Sequence, residues 1–340
     1  MTMTEARDCP TILAQTATAV GPLLRSRVCR LPERIRHVCG LHFGWWTEHG
    51  TARDAPETRK LLRPALTLLA CQAVGGPARA AHPAAVAVEL IHNAGLLHDD
   101  IIDQDPLRRG RPALWATQGV PAAILAGDAL FFAAVQALVG APGADVSVPV
   151  LLDTVQVLIE GEYRDVLLET GADREHEALQ VAAGKTAVLL ACACELGAAA
   201  GGADPERVRH LRAFGHHLGI AFQCADDLLG IWGDPGTTGK PARSDLRHRK
   251  VSLPVAAAMA QDSPPARHLR ELYRARTPLG DDDCARAADL IEQTGAREAT
   301  ERRALDHVAD ALRHLDRADP SPVPAAELSS LAHLVVHRDR

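Results

Sequence analysis

The sequence predicts an all-α protein, a single large bundle of about ten or more helices, on three observations. Apolar residues recur at helical spacing through most of the 340 residues, and no alternating run of the kind a half-buried strand needs stands out. Hydrophobic residues make up 47% of the chain and aromatics only 3%, so the core must be built from Ala, Leu and Val, and Ala and Leu are strong helix formers. Breaks rich in Gly and Pro cut the chain into segments of helical length. No repeat or low-complexity linker divides it, so one domain spanning residues 1–340 is expected.

Taken in order, residues 1–12 are expected to be poorly ordered, as chain ends usually are. Trp45 and Trp46 read as core or subunit-interface residues. After the break at Gly75-Gly76-Pro77, a helical run continues to about Asp103 and is ended by Pro106. Ala122–Ala141 is apolar apart from Asp128 and Gln136, and about 20 such residues suffice to cross a bilayer. The central Asp and the many small residues favour a helix buried within protein instead. Ala187–Ala203, interrupted by Glu195, reads the same way, so no transmembrane segment is expected. Further breaks fall at Gly140–Gly143, Gly171–Asp173, Gly201–Pro205, Gly233–Ser244, Asp262–Pro265 and Pro320–Pro324. Asp281–Asp283 reads as a helix start, where carboxylates meet the positive end of the dipole.

A formal charge of −6 gives no electrostatic footprint for nucleic acid. The eight cysteines show no zinc-type spacing, and reduced thiols in a cytoplasmic protein are the expectation. His216 and His217 are adjacent, face different directions on a helix, cannot form a helical metal pair, and read as structural.

Two acidic clusters carry the chemistry. In ELIHNAGLLHDDIIDQDPLRRGRP (89–112), Asp99 and Asp103 lie at i and i+4, so their carboxylates project from one helix face. His92 lies two turns earlier on the same stripe. Carboxylates crowded on an apolar helix repel one another unless a cation joins them, and oxygen-only ligands suit a hard ion such as Mg²⁺. Arg108 and Arg109 follow, and arginines beside metal-binding acids are the parts that grip a diphosphate. The second cluster, Asp226 and Asp227, ends the apolar helix Leu218–Trp232, with Gln223 one turn before. A Gly-rich loop with Lys240 and a basic run to Lys250 follow. The loop is not a Walker motif, since Pro241 follows Lys240 and Asp234 stands where its first Gly would be.

Between about Lys60 and Lys250 these motifs resemble, in order, those of the trans-type isoprenyl diphosphate synthases. DDIID at 99–103 with RRG at 108–110 is similar to that family's first Asp-rich motif, FQCADD at 222–227 to the helix of its second, KLLRP at 60–64 to its Lys-x-x-Arg-Pro site, and Gly184-Lys185-Thr186 to its central Lys-Thr pair. The resemblance implies a helical bundle around a central apolar cavity, homodimerisation, and condensation of isopentenyl diphosphate with a C5–C15 allylic diphosphate. It implies about three Mg²⁺ ions: two on Asp99 and Asp103, supported by Asp100, and one on Asp226. Arg108, Lys185 and Lys240 would bind the allylic diphosphate. Lys60, Arg63, His92 and Arg109 would bind isopentenyl diphosphate, and Thr186 and Gln223 would lie near the developing cation. Three positions depart from the pattern: Thr58-Arg59 replace two glycines, Glu162 replaces a Gln, and Gly230 replaces the last Asp of the second motif.

Product length follows from the stripe below Asp99. Ala94 and Gly95 are too small to close a pocket, Ile91 and Val88 come in the next two turns, and Phe131 and Phe132 are candidates for a floor. Three turns rise about 16 Å, long enough for a chain beyond C15, so geranylgeranyl diphosphate (C20) is the expected product. Two alternatives remain at this level: a class I terpene cyclase, which needs no second diphosphate site, and a non-catalytic subunit of a heteromeric synthase, which would shed carboxylates from both clusters.

Overall fold

The computed structural model describes residues 6–47, 51, 61–168, 174–234, 243–274 and 278–336. Within these the fold is all-α: α1 (Cys9–Val28), α2 (Glu33–Phe43), α3 (Leu62–Ala73), α4 (His82–Ile102), α5 (Leu114–Gln118), α6 (Val120–Leu138), α7 (Ala144–Leu168), α8 (Arg174–Val181), α9 (Val188–Ala200), α10 (Pro205–Trp232), α11 (Ser244–Arg247), α12 (Leu253–Ala260), α13 (Pro264–Arg274), α14 (Asp281–Gln293), α15 (Ala296–Arg317) and α16 (Pro322–Val336). A π-helical turn, Ala182–Ala187, joins α8 to α9. One small hairpin pairs β1 (Leu107–Arg108) with β2 (Arg111–Pro112) in antiparallel register. Two-residue strands are too short to leave an alternating pattern, which is why sequence periodicity gives no sign of them.

The described chain packs as two compact units. Met1–Val155, Leu189–Gly215 and His314–Ser330 form one; Gln156–Val188, His216–Arg313 and Leu331–Arg340 form the other. In the first, α6 lies along α4. Its small-residue face (Ala123, Ala126, Gly127, Ala133, Ala134, Ala137, with Leu130) is buried, so the two backbones approach closely. The expectation that this helix is buried within protein holds for that face only. Just 39% of its apolar window is buried, while Ile124, Leu125 and Phe132 are exposed. By contrast 78% of the other long apolar stretch, which lies within Glu175–Ala200, is buried. In the second unit, α8 and the following π turn, the later part of α10, and α12, α14 and α15 contribute to a core of Ala, Leu, Ile, Val and Cys side chains.

The N-terminal expectation needs correction. Residues 6–12 are ordered: Asp8 caps α1 by accepting from the Thr11 N–H at 2.9 Å, Pro10 occupies the first turn, and Ile12 is buried. Arg7 is tied to the buried Glu327, its Nε donating to Oε1 at 2.7 Å. A cap and an ion pair to a helix at the far end of the sequence order a segment that composition alone leaves open. Asp281–Asp283 do occupy the first turn of α14, as expected.

In the second unit α7 crosses the π turn glycine to glycine. A Cβ on Gly161 would sit 2.5 Å from both Gly184 C and Lys185 N, main-chain atoms that cannot swing aside. Gly161→Ala is therefore expected to destabilise the protein by about 1–3 kcal/mol, seen as a lower urea midpoint at unchanged slope. An unchanged midpoint would show that these two segments do not approach so closely.

Candidate active site

The C-terminal end of α4 builds the first cluster. The helix persists to its C-cap Asp103, whose N–H bonds Asp99 O at 2.8 Å, so the Asp99 and Asp103 carboxylates lie one turn apart. Both side chains are partly exposed, whereas Asp100, rotated by about 100°, is 1% exposed. Burial raises the Asp100 carboxyl above its ordinary value, against the pull of Arg108. That guanidinium donates from Nε to Asp100 Oδ1 at 2.6 Å, and its Nη2 lies 3.4 Å from Asp99 Oδ2 and 3.6 Å from Asp105 Oδ2.

A tight turn aims Arg108 inward. Arg109 (φ 54°) and Gly110 (φ 70°) both occupy the left-handed region, the geometry of a two-residue type I′ hairpin. Trp115 Nε1 fixes its base by donating to Asp105 O at 2.8 Å, and the Arg111 guanidinium donates to Leu41 O and His42 O. The two adjacent arginines thus separate: Arg108 neutralises the aspartates, while Arg109 is exposed on the rim of a small depression that Arg108, Arg111 and His42 also line. His92 on α4 and Arg63 on α3 are partly buried. Lys60, with Thr58 and Arg59, lies outside the described residues, as does Lys240.

Along α4 the expected tail-side residues also separate. A Cβ on Gly95 would meet nothing within 4 Å, so this position fronts open space. Ala94, Ile91 and Val88 are fully buried and help fill the core. Phe131 packs on His98, with ring centroids 5.7 Å apart. Phe132, one position on and pointing away, is 72% exposed and makes no enclosed floor within this unit.

The second unit holds the other cluster. Lys185 sits in the π turn, a feature that recurs at functional sites because it shifts the register of the residues it carries. Its Nζ lies 2.9 Å from both Glu162 Oε2 and Asp165 Oδ2. Thr186 Oγ1 donates to Gln223 Oε1 at 2.5 Å, and Gln223 Nε2 donates to Asp227 Oδ1 at 2.7 Å, which fixes the orientation of the amide. Asp227 Oδ2 accepts from the Leu253 N–H at 2.7 Å. Burial pushes the Asp227 carboxyl up to about 7, with the Asp245 and Asp226 charges adding to the rise and the Leu253 and Gln223 bonds opposing it. The adjacent aspartates have different settings: Asp227 is built into the fold, and Asp226 is exposed. One turn on, a Cβ at Gly230 would collide with the Asp245 carboxylate, which takes up the space beside that glycine.

These donors fit a hard divalent cation. They are carboxylate oxygens alone, and Asp100 Oδ2 is buried with no hydrogen-bond partner, an atom that a cation or its water would satisfy. Sequence reasoning did not find Asp105 and Asp245, nor the grip of Glu162 and Asp165 on Lys185. The i,i+3 spacing of Asp105 to Arg108 and of Glu162 to Asp165 is the only local signal for any of them.

Comparison with known proteins points one way. The family described as Polyprenyl synthetase matches residues 56–291. A geranylgeranyl diphosphate synthase of Mycobacterium tuberculosis is 39% identical, the match covering 96% of this chain and 93% of that protein. A (2E,6E)-farnesyl diphosphate synthase of Mycobacterium bovis is 40% identical over 96% and 92%. A polyprenyl synthetase from Streptomyces coelicolor A3(2) superposes with a TM-score of 0.91 at 38% identity, covering 96% of this chain and 99% of that one.

Removing the Asp227 carboxylate leaves the Leu253 N–H and the Gln223 amide without their acceptor. Asp227→Ala is expected to cost about 1–3 kcal/mol of stability, measured by urea denaturation. A loss no greater than that of Asp226→Ala, which removes an exposed group, would contradict the separate settings described above.

Proposed function

Because the chain belongs to the polyprenyl synthetase family, that of the trans-isoprenyl diphosphate synthases, we propose that it is a Mg²⁺-dependent prenyltransferase. It joins isopentenyl diphosphate to a C5–C15 allylic diphosphate and makes a linear product, geranylgeranyl diphosphate. The observation that carries this reading is the end of α4, where Asp99 and Asp103 stand on one face with Arg108 among them.

Asp99 and Asp103 would hold two cations and Asp226 a third, with Asp100 anchoring Arg108 behind the first pair. Asp245 supplies, beside Gly230, the carboxylate that the second motif lacks. Bound Mg²⁺ supplies electrostatic stabilisation to the allylic diphosphate as it departs. Arg108 and Lys240 bind that diphosphate, as does Lys185, which exchanges Glu162 and Asp165 for it. Lys60, Arg63, His92 and Arg109 bind isopentenyl diphosphate. Thr186 and Gln223, locked to each other, face the allylic cation, and an apolar lining keeps water from it until the isopentenyl double bond attacks.

The open space at Gly95 supports a C20 product, since a tail directed along α4 meets no side chain there. The exposed apolar side of α6, with Ile124, Leu125 and Phe132, supports a homodimer. The matched relatives, which this chain covers almost end to end, support a single domain.

The test incubates the purified chain with Mg²⁺, isopentenyl diphosphate and C5, C10 or C15 allylic diphosphates and identifies products by mass spectrometry. Linear C20 diphosphate is expected. It should vanish on chelation and fall by at least about 100-fold in Asp99→Ala. Gly95→Phe should fill the open space and shift the product toward C15. A cyclic hydrocarbon formed without isopentenyl diphosphate would replace this reading with that of a cyclase, and C20 output unchanged in Gly95→Phe would remove Gly95 from the tail path.

A further inference from the structure

Away from the acidic clusters, three side chains from two helices of the second unit converge. His217 lies on α10, and His307 and Asp310 lie at i and i+3 on one face of α15. The Nδ1 atoms of His217 and His307 are 2.9 Å apart, and Asp310 Oδ2 is 3.9 Å from His217 Nδ1. The three donor atoms lie within 4.8 Å of one another, the one such group of three found among the described residues. All three side chains are partly buried.

This spacing matches a coordination sphere. Zn–N bonds of about 2.0–2.1 Å at ligand angles between octahedral and tetrahedral place two imidazole nitrogens about 2.9–3.4 Å apart. The Asp310 carboxylate is also paired with Arg313, a largely exposed arm one turn away. A metal ligand must be a neutral imidazole.

We propose that His217, His307 and Asp310 form an interhelical site for a divalent transition metal of the imidazole-preferring class, with Zn²⁺ as the probe. Three protein ligands leave one position for water, and two nitrogens with one carboxylate oxygen select a softer ion than the oxygen-only aspartate clusters. The two kinds of site are thus separable by chemistry, and this one does not depend on the prenyltransferase reading. Its effect is to pin α10 to α15 six residues, about 9 Å, before Gln223. Adjacent His216 and His217 fail as a pair on one helix, but His217 finds its partners on another.

The structure also provides an internal control. His210 and His314 pair through their Nδ1 atoms at 3.0 Å in the first unit, without forming such a group of three. Metal-free full-length protein, with millimolar Mg²⁺ present to occupy the aspartate clusters, is titrated with Zn²⁺ by calorimetry and with Co²⁺ by visible absorption. One metal per chain is expected in the wild type and in His210→Asn, with affinity at least tenfold weaker in His217→Asn, His307→Asn and Asp310→Asn. Zn²⁺ should raise Tm by about 3–5 °C at a hundredfold excess over Kd, and not in His307→Asn. Circular dichroism establishes that each variant is folded. The near-isosteric change Asp310→Asn keeps the test decisive if a histidine variant is not. Failure of the wild type to bind Zn²⁺ in the presence of Mg²⁺, or equal affinity in wild type and Asp310→Asn, overturns the proposal.

Discussion

Negative charge crowds the wrong end of a helix here. Asp99, Asp100 and Asp103 lie in the last turn and C-cap of α4, where the carbonyl end of the dipole already disfavours anions. Mutual repulsion adds to that cost, and for Asp100 so does burial. Arg108 offsets it with one guanidinium shared among Asp99, Asp100 and Asp105. Much of the neighbouring architecture follows from holding that guanidinium in place: the left-handed Arg109-Gly110 turn, the Trp115 bond to Asp105 O, and Arg111 anchored on the end of α2. Arg108 neutralises the cluster only partly, since Asp100 Oδ2 is left without a partner. A divalent cation would complete the balance.

The second unit solves the converse problem. Its cation, Lys185, is held between Glu162 and Asp165, so the unit carries a paired lysine where the first carries paired aspartates. Around it, the chain Thr186–Gln223–Asp227–Leu253 N–H is satisfied donor to acceptor at every link, which gives the Gln223 amide a fixed orientation. Asp227 serves this chain from a buried position, whereas Asp226 beside it is exposed.

The sequence made the all-α class legible, because helical spacing runs through nearly every segment and the core is made of Ala, Leu and Val. It also made the acidic clusters legible, since i,i+4 carboxylates on an apolar helix, with two arginines following, repel one another unless a cation joins them. What it hid were facts that need a second segment in space. Adjacent Arg108 and Arg109 read as a pair, but a positive-φ turn points them apart. Gly230 read as a lost carboxylate, but Asp245, fifteen residues on, fills that space. Phe131 and Phe132 read as one floor, yet helical rotation packs the partly buried Phe131 on His98 and exposes Phe132. Residues 6–12 read as frayed because the Glu327 partner of Arg7 lies 320 positions away.

The central claim is that these aspartates hold a diphosphate through a cation. Equilibrium binding of inorganic pyrophosphate to the purified chain, with and without Mg²⁺, tests it without depending on turnover. The account predicts binding that requires Mg²⁺ and weakens about tenfold or more in Asp99→Asn, an affinity loss of at least about 1.4 kcal/mol. Pyrophosphate bound equally well without Mg²⁺, and unaffected by Asp99→Asn, would contradict it.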